Sequence, residues 1–272
     1  MTIDKIRTAF RSPWKAAVAT LAMLGLATML AVGVPHGTAN AADETFSDAQ
    51  KVQIEGIIKD YLLKNPEIMV DVQRILDQKM ETARQDSMAK AVKANADSLF
   101  KNSAVPTGGD AKGDVTVVEF FDYNCIHCRD AVEHIGKLID TDKKVHVVFI
   151  DFPIFGKDSE GAARVAIASA KQGKYWEMHK ELLLHKGSNT EEAAYKIGEK
   201  LGLDIAKLKS DANAPDTAKL LQDNRILAEK LGIQGTPHFI VGEKVIPGAP
   251  DNLYDELASL IGDVRKNGCK IC

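Results

Sequence analysis

The chain has 272 residues, 45% of them hydrophobic and 27% charged, with 9 Pro and 4 Cys. These proportions describe an ordinary globular chain of one or two domains and exclude collagen-like, low-complexity and disulfide-dense scaffolds. The formal charge is -3, and residues 1–41 hold four bases (Lys5, Arg7, Arg11, Lys15) against one acid (Asp4), so the remainder carries -6, with no basic run to grip nucleic acid.

The N-terminus has the order of a secretory signal. A basic start is followed by the uncharged run Ala16 to Val34, then Pro35 and the small triplet Ala39-Asn40-Ala41. At 19 residues the run would also serve as a membrane anchor. Gly25 and Gly33 dilute it and an Ala-x-Ala site follows at once, so cleavage after Ala41 is expected, with segment 1–41 removed. Either way the folded part lies outside the cytoplasm, in a bacterium the periplasm, where cysteine pairs can be held oxidised.

Residues 42–106 form the next segment. From Ser47 to Phe100 the apolar residues recur at three and four, as in Ile54, Ile57, Ile58 and Tyr61, then Ile68, Val72, Ile75 and Leu76, which predicts helix. Ser47 with Gln50 reads as a capping box, and Asn65-Pro66 as an N-cap and N1 pair, giving helices over about 48–64 and 66–100. The second would be about 50 Å long. Such a rod rarely buries its whole stripe against one small domain, so an oligomerisation segment is favoured over an arm packed on its own domain. Ile54, Tyr61, Ile68 and Ile75 are spaced by seven, but the register crosses Pro66 and decays into Thr82, so no long coiled coil is expected.

Pro106, Thr107-Gly108-Gly109-Asp110 and Gly113 read as a turn-rich linker before a domain spanning 107–272. There, Val115 to Asp122 and Val145 to Asp151 predict strands buried on both faces, with a helix over Asp130 to Ile139 between them. Helical patterns fill an insert at about 156–231. Strands return at His238 to Val241 and Lys244 to Ile246, and Asn252 to Lys266 closes with a helix. The expected class is α/β: a sheet domain with a helical subdomain, preceded by the helical segment.

Two motifs carry chemistry. Cys125-Ile126-His127-Cys128 falls between the first strand and the following helix. A cysteine at a helix N-terminus is favoured as thiolate, the nucleophile of disulfide exchange; Cys128, one turn on, can resolve a mixed disulfide, and His127 can stabilise the thiolate further. Half of a zinc site is the other reading of a C-x-x-C. Its only companion pair, Cys269 and Cys272, begins 141 residues after Cys128, and the strand-to-helix context already accounts for the first pair. The second motif is Gly235-Thr236-Pro237-His238-Phe239, where a cis bond before Pro237 would turn backbone groups outward beside Cys125.

The run Glu119 to Cys128, the helical insert and Gly232 to Phe239 together resemble the thioredoxin-fold, DsbA-like thiol:disulfide oxidoreductases of the bacterial periplasm. The resemblance covers roughly Asp114 to Lys266. It implies a thioredoxin-like fold, Cys125 as the exposed nucleophile, Cys128 as the buried resolving thiol, Pro237 as a cis-proline facing them, and Glu119 as an acidic residue behind the site. A buried Glu119 would have a raised pKa and could take the proton of Cys128; a strand-end glutamate in water is the other reading. His127 matches the family's oxidases, Ile126 departs from their usual proline or glycine, and Thr236 matches the isomerases. Ile126, Thr236 and Pro237 are the expected substrate-binding residues. Asp122 reads as a turn former and Asn124 as a helix-entry residue.

The helical segment resembles, in organisation, the trimerising stalk of the suppressor-of-copper-sensitivity (ScsC-like) branch. That resemblance implies an oligomer, a trimer in that branch, acting as a disulfide isomerase. The implied partners are secreted proteins containing cysteine and a membrane redox partner, and no cofactor is needed because the cysteine pair carries the electrons. A monomeric oxidase and a copper(I)-binding copper-tolerance protein are the alternatives. Cys269 and Cys272 lie outside the family pattern and read as a tail disulfide, a copper(I) clip, a thiol relay to Cys125, or an idle tail.

Overall fold

The computed structural model describes residues 46–269 and 271. The expected signal segment, 1–41, and Cys272 lie outside them. The chain divides between Asn65 and Pro66 into two compact units.

The first unit contains one described helix, α1 (Asp48–Lys64), opened by the expected reciprocal capping box of Ser47 and Gln50. None of its residues is buried, and Val52, Ile57, Ile58, Tyr61 and Leu63 are all more than half exposed. Asn65 does not N-cap the next helix. It closes α1 instead, donating its side-chain and backbone N–H to the Tyr61 carbonyl.

The second unit begins with α2 (Glu67–Ala94) and the short α3 (Ala96–Phe100), separated at Asn95. The expected single rod to residue 100 is therefore broken. Asn95 bends the chain by returning its amide to the Ala91 carbonyl, a local bond that competes with helix continuation. The N-terminal part of α2 is exposed, whereas Met88, Val92 and Leu99 are buried. Each contributes about 1.5–3 kcal/mol by leaving water, so this end of the segment belongs to the core.

The sheet holds β1 (Thr107–Gly109), β2 (Val115–Phe121), β3 (Val145–Asp151), β4 (His238–Val241) and β5 (Lys244–Pro247) in the order β1-β3-β2-β4-β5. Only β2 and β3 pair in parallel, as the β-α-β crossover requires. The expected linker at Thr107–Gly113 is an edge strand and its turn. Its glycines are needed for close approach: Gly109 sits at φ 73°, and a Cβ there would strike the Val145 carbonyl. The turn-forming residues there serve packing.

Between β2 and β3 runs α4 (Ile126–Thr141), four residues longer at its start than its apolar pattern alone suggested. The insert is five helices, α5 (Lys157–Ala170), α6 (Tyr175–Leu184), α7 (Glu191–Lys200), α8 (Ile205–Ala212) and α9 (Pro215–Leu231), and α10 (Leu253–Asn267) ends the domain. The central strands β2 and β3 are buried at six of their seven positions each, which explains their unbroken apolar character. No described helix is long and apolar enough to cross a membrane.

Candidate active site

The site forms where β2 hands over to α4. Cys125 is the N-cap of α4, in extended conformation (φ -78°, ψ 123°), so its sulfur meets the free N–H groups of the first turn. Those of His127 and Cys128 both favour its thiolate. The largest influence is the Cys128 thiol, which hydrogen-bonds to Cys125; a smaller one comes from Thr236. Together they outweigh partial burial and bring the Cys125 thiol down from 9.0 to about 6. It is thus mostly ionised at neutral pH.

Cys128 lies one turn on and is fully buried. Burial first, then its hydrogen bond to Cys125 and the charges of Cys125 and Glu119, push its thiol far up. Both cysteines are free. Cys125 is only 4% exposed, less than the open nucleophile expected, because the Thr236 loop covers it: its Sγ lies 3.3 Å from the Thr236 carbonyl oxygen. The Thr236-Pro237 bond is cis, as expected. Ile126, 64% exposed, is the first residue of α4, next to Cys125.

His127 is also exposed. Its Nδ1 lies 3.7 Å from Asp130 Oδ2, and its leading effect on the thiolate comes through the backbone N–H.

Glu119 is fully buried on β2, and neither carboxylate oxygen has a hydrogen-bond partner. The reading of a strand-end carboxylate in water is therefore incorrect. Burial, then the charges of Asp151 and Cys125, push its pKa up to about 8. Such a group can accept or donate a proton near neutrality.

Several site residues had no clear signal in the sequence. Asp122 is more than a turn former: its carboxylate accepts from the N–H groups of Asn124, Ile154 and Phe155 and from the Ser159 hydroxyl, at 2.7–3.1 Å. It pins the loop after β3 and the start of α5 to the active-site turn. Asn124, next to Cys125, is equally tied down. It donates to Ser159 Oγ and the Asn189 carbonyl and accepts from Asn189 N–H. Arg129 on α4 donates to the carbonyls of His185 and Gly187. The insert is thus fastened to the site by Asp122 and Asn124 in the turn after β2 and by Arg129 on α4. Asp151 at the end of β3 is also buried; its place in a strand read as buried on both faces was the available clue.

The tail sits elsewhere. Cys269 is disulfide-bonded, and its sulfur neighbours Gly242, in the turn between β4 and β5. Thr236, beside Cys125, precedes the other end of β4, and four residues of strand span about 13 Å. Direct relay from Cys269 to Cys125 within one chain does not fit this separation. Among the described residues no cluster of His, Cys, Asp or Glu forms a metal site.

An ionised thiol at a helix N-terminus with a buried thiol one turn on can attack a disulfide and then resolve the resulting mixed disulfide. On a sheet of this order, that is the chemistry of a thioredoxin-fold thiol:disulfide oxidoreductase. The DSBA-like thioredoxin domain family matches residues 116–261, more than half of the chain, and the chain belongs to that family. The Copper resistance protein ScsC N-terminal domain matches residues 50–83. Disulfide bond formation protein D of Bacillus subtilis is 32% identical over 171 residues, 57% of this chain and 75% of that protein. Among solved structures, a thioredoxin-like oxidoreductase from Silicibacter pomeroyi DSS-3 is 39% identical, with a TM-score of 0.60 over 62% of this chain and 97% of that one. A linker-deletion mutant of Proteus mirabilis ScsC is 26% identical, with a TM-score of 0.62 over 84% of this chain and all of its own. The chain is thus similar to DsbA-like proteins over its sheet domain and to ScsC over its helical segment as well.

Proposed function

We propose that the protein is a periplasmic disulfide isomerase that acts as a homo-oligomer, a trimer by analogy with the ScsC-like branch, on secreted proteins containing cysteine. Cys125 attacks the substrate disulfide, Cys128 resolves the mixed disulfide, and Glu119 exchanges a proton with Cys128. The electrons reside in the cysteine pair, so no cofactor takes part, and a membrane redox partner resets the pair.

The observation that carries the oligomer is the unpartnered apolar surface of the helical segment. Besides the α1 residues, Met69, Val70, Val72, Ile75, Leu76 and Met80 of α2 are 46–70% exposed, whereas ordinary surfaces expose such residues singly. An oligomer that holds its active sites within a shared cleft keeps them from a membrane oxidase by geometry. Ile126 and Phe155, both more than half exposed, would give each site an apolar rim for unfolded substrates.

The test is reactivation of scrambled ribonuclease by the mature chain and by Ile57→Asp with Tyr61→Asp. Substitution is preferable to truncation at the edge strand, because Met88, Val92 and Leu99 belong to the core. The reading predicts an oligomer that unscrambles and a dissociated variant that oxidises reduced ribonuclease without unscrambling. If both forms only oxidise, the protein is a monomer-type oxidase.

The match to a copper resistance domain favours one second reading, copper(I) binding by the tail cysteines. It requires the reduced protein to retain copper(I) and Cys269→Ser with Cys272→Ser to lose it.

A further inference from the structure

Behind the active site lies a second acidic group that the exchange reaction has not used. Asp151 ends β3 and is 1% exposed. In the parallel register Glu119 pairs with Phe149 and Phe121 with Asp151, so the Asp151 side chain leaves the sheet on the same face as Glu119, two positions further along. That diagonal places the two residues about 8 Å apart at Cα. Asp151 Oδ1 has no hydrogen-bond partner, like both oxygens of Glu119.

Its other oxygen is held. Tyr175 of α6 donates its hydroxyl to Asp151 Oδ2 at 3.2 Å, Tyr123 reaches Tyr175 in turn, and Tyr123 Oη lies 3.4 Å from His179 Nδ1. Burial holds His179 neutral, with its pKa lowered to about 3. The groups facing the pair are therefore Tyr175 and His179 from α6, Tyr123 and Asp122 from the turn after β2, and Cys125 and Cys128 from α4. None supplies a positive charge. Two buried acids so close, without a cation, cannot both ionise easily. Burial raises both, and the Asp151 charge is the second cause of the Glu119 shift.

We propose that Asp151 is a positioning residue for proton exchange at Cys128: it and Glu119 hold one proton between them, with the hydroxyl of Tyr175 keeping the charge on Asp151 and the proton on Glu119. The inference rests on the reading of Glu119 as the proton acceptor. When the pair resolves a mixed disulfide, Glu119 first releases the shared proton to solvent, the step whose midpoint is about 8; it then takes the proton of Cys128, and the resulting thiolate attacks Cys125 Sγ. The Cys125-Cys128 bond forms, the bond from Cys125 to the substrate sulfur breaks, and the substrate leaves as thiolate with the bonding electron pair. In the reverse direction protonated Glu119 returns its proton to Cys128. Without Asp151, Glu119 would stay ionised to lower pH and lose the ability to return that proton near neutrality.

The experiment is stopped-flow reaction of the reduced mature chain with 5,5′-dithiobis(2-nitrobenzoate). Attack by Cys125 releases one thionitrobenzoate, and attack by Cys128 on the mixed disulfide releases the second. The rate of the second phase is followed against pH. In the wild type it should rise with a midpoint of about 8. Asp151→Asn should move that midpoint down by about one unit, Asp151→Glu should restore it, and Glu119→Gln should abolish the inflection. An unmoved or raised midpoint in Asp151→Asn, with the inflection lost in Glu119→Gln, overturns the role of Asp151 alone. An inflection that survives in Glu119→Gln overturns the reading of Glu119 and the inference with it. Should Asp151→Asn fail to fold, difference infrared spectroscopy of the wild type decides: the loss of one buried carboxylic acid band near pH 8 is expected, and loss of two or none contradicts a shared proton.

Discussion

Cys125 Sγ lies 3.3 Å from the carbonyl oxygen of Thr236, which joins the first residue of the active-site turn to the loop that opens β4, 111 residues later in the chain. A substrate disulfide approaching Cys125 must come up beside this contact. The Thr236 hydroxyl is buried beside it, and its hydrogen bond to Cys125 favours the thiolate. Thr236→Val keeps the shape and removes that donor. It should raise the Cys125 midpoint above the wild-type value of about 6, seen as a shift to higher pH in the profile of alkylation by iodoacetamide.

The Cys125 thiol should titrate with a midpoint of about 6. Alkylation of the reduced protein by iodoacetamide, followed against pH, should rise through that value and saturate above it, and Cys128 should resist until the chain is denatured. The same shift makes the reduced state sensitive to pH. A thiol whose folded pKa lies below its unfolded value stabilises the fold above the unfolded value and loses that contribution as pH falls through the folded one. The Tm advantage of reduced wild type over Cys125→Ser should therefore be full above pH 9, shrink between 9 and 6, and vanish below 6.

Glu119 carries the opposite sign. Its folded pKa of about 8 exceeds the ordinary 4.5, so the stability associated with the protonated form is complete below pH 4.5 and is lost as pH rises through 8. Glu119→Gln should remove this slope and leave the variant more stable than wild type at pH 8, by on the order of 3 kcal/mol. Denaturant unfolding at pH 5 and pH 8 reads the difference. The same variant should slow resolution by Cys128 about a hundredfold.

Asp122 holds four donors with one carboxylate. Asp122→Ala leaves three N–H groups and the Ser159 hydroxyl without that acceptor, in a place where burial makes unpaired donors costly. A loss of about 3 kcal/mol in unfolding free energy is expected, together with faster amide exchange at Ile154 and Phe155. Asp122→Asn should recover part of both.

Much of this was legible in the residues. The unbroken apolar runs at Val115 to Phe121 and Val145 to Ile150 gave two central strands because both faces are covered, and cysteine at a strand-to-helix junction pointed to a thiol with a lowered pKa because that junction exposes N–H groups. The edge strand at Thr107–Gly109 was hidden by its own glycines, which look like a hinge until Val145 is seen packed against Gly109. The break at Asn95 was hidden because the apolar spacing continues across it. Burial of a polar group was the least visible: nothing within reach in sequence marks Asp122 or Asn124 as anchors for residues 30 to 65 positions away, and those contacts exist only once the insert has folded back.

The most direct measurement is to trap the covalent intermediate. Reduced Cys128→Ser, incubated with scrambled ribonuclease and digested under acid conditions, should yield by mass spectrometry a peptide of the substrate joined through a disulfide to Cys125. An adduct found only at Cys269 or Cys272, or no adduct at all in a variant that still unscrambles ribonuclease, would contradict exchange through Cys125.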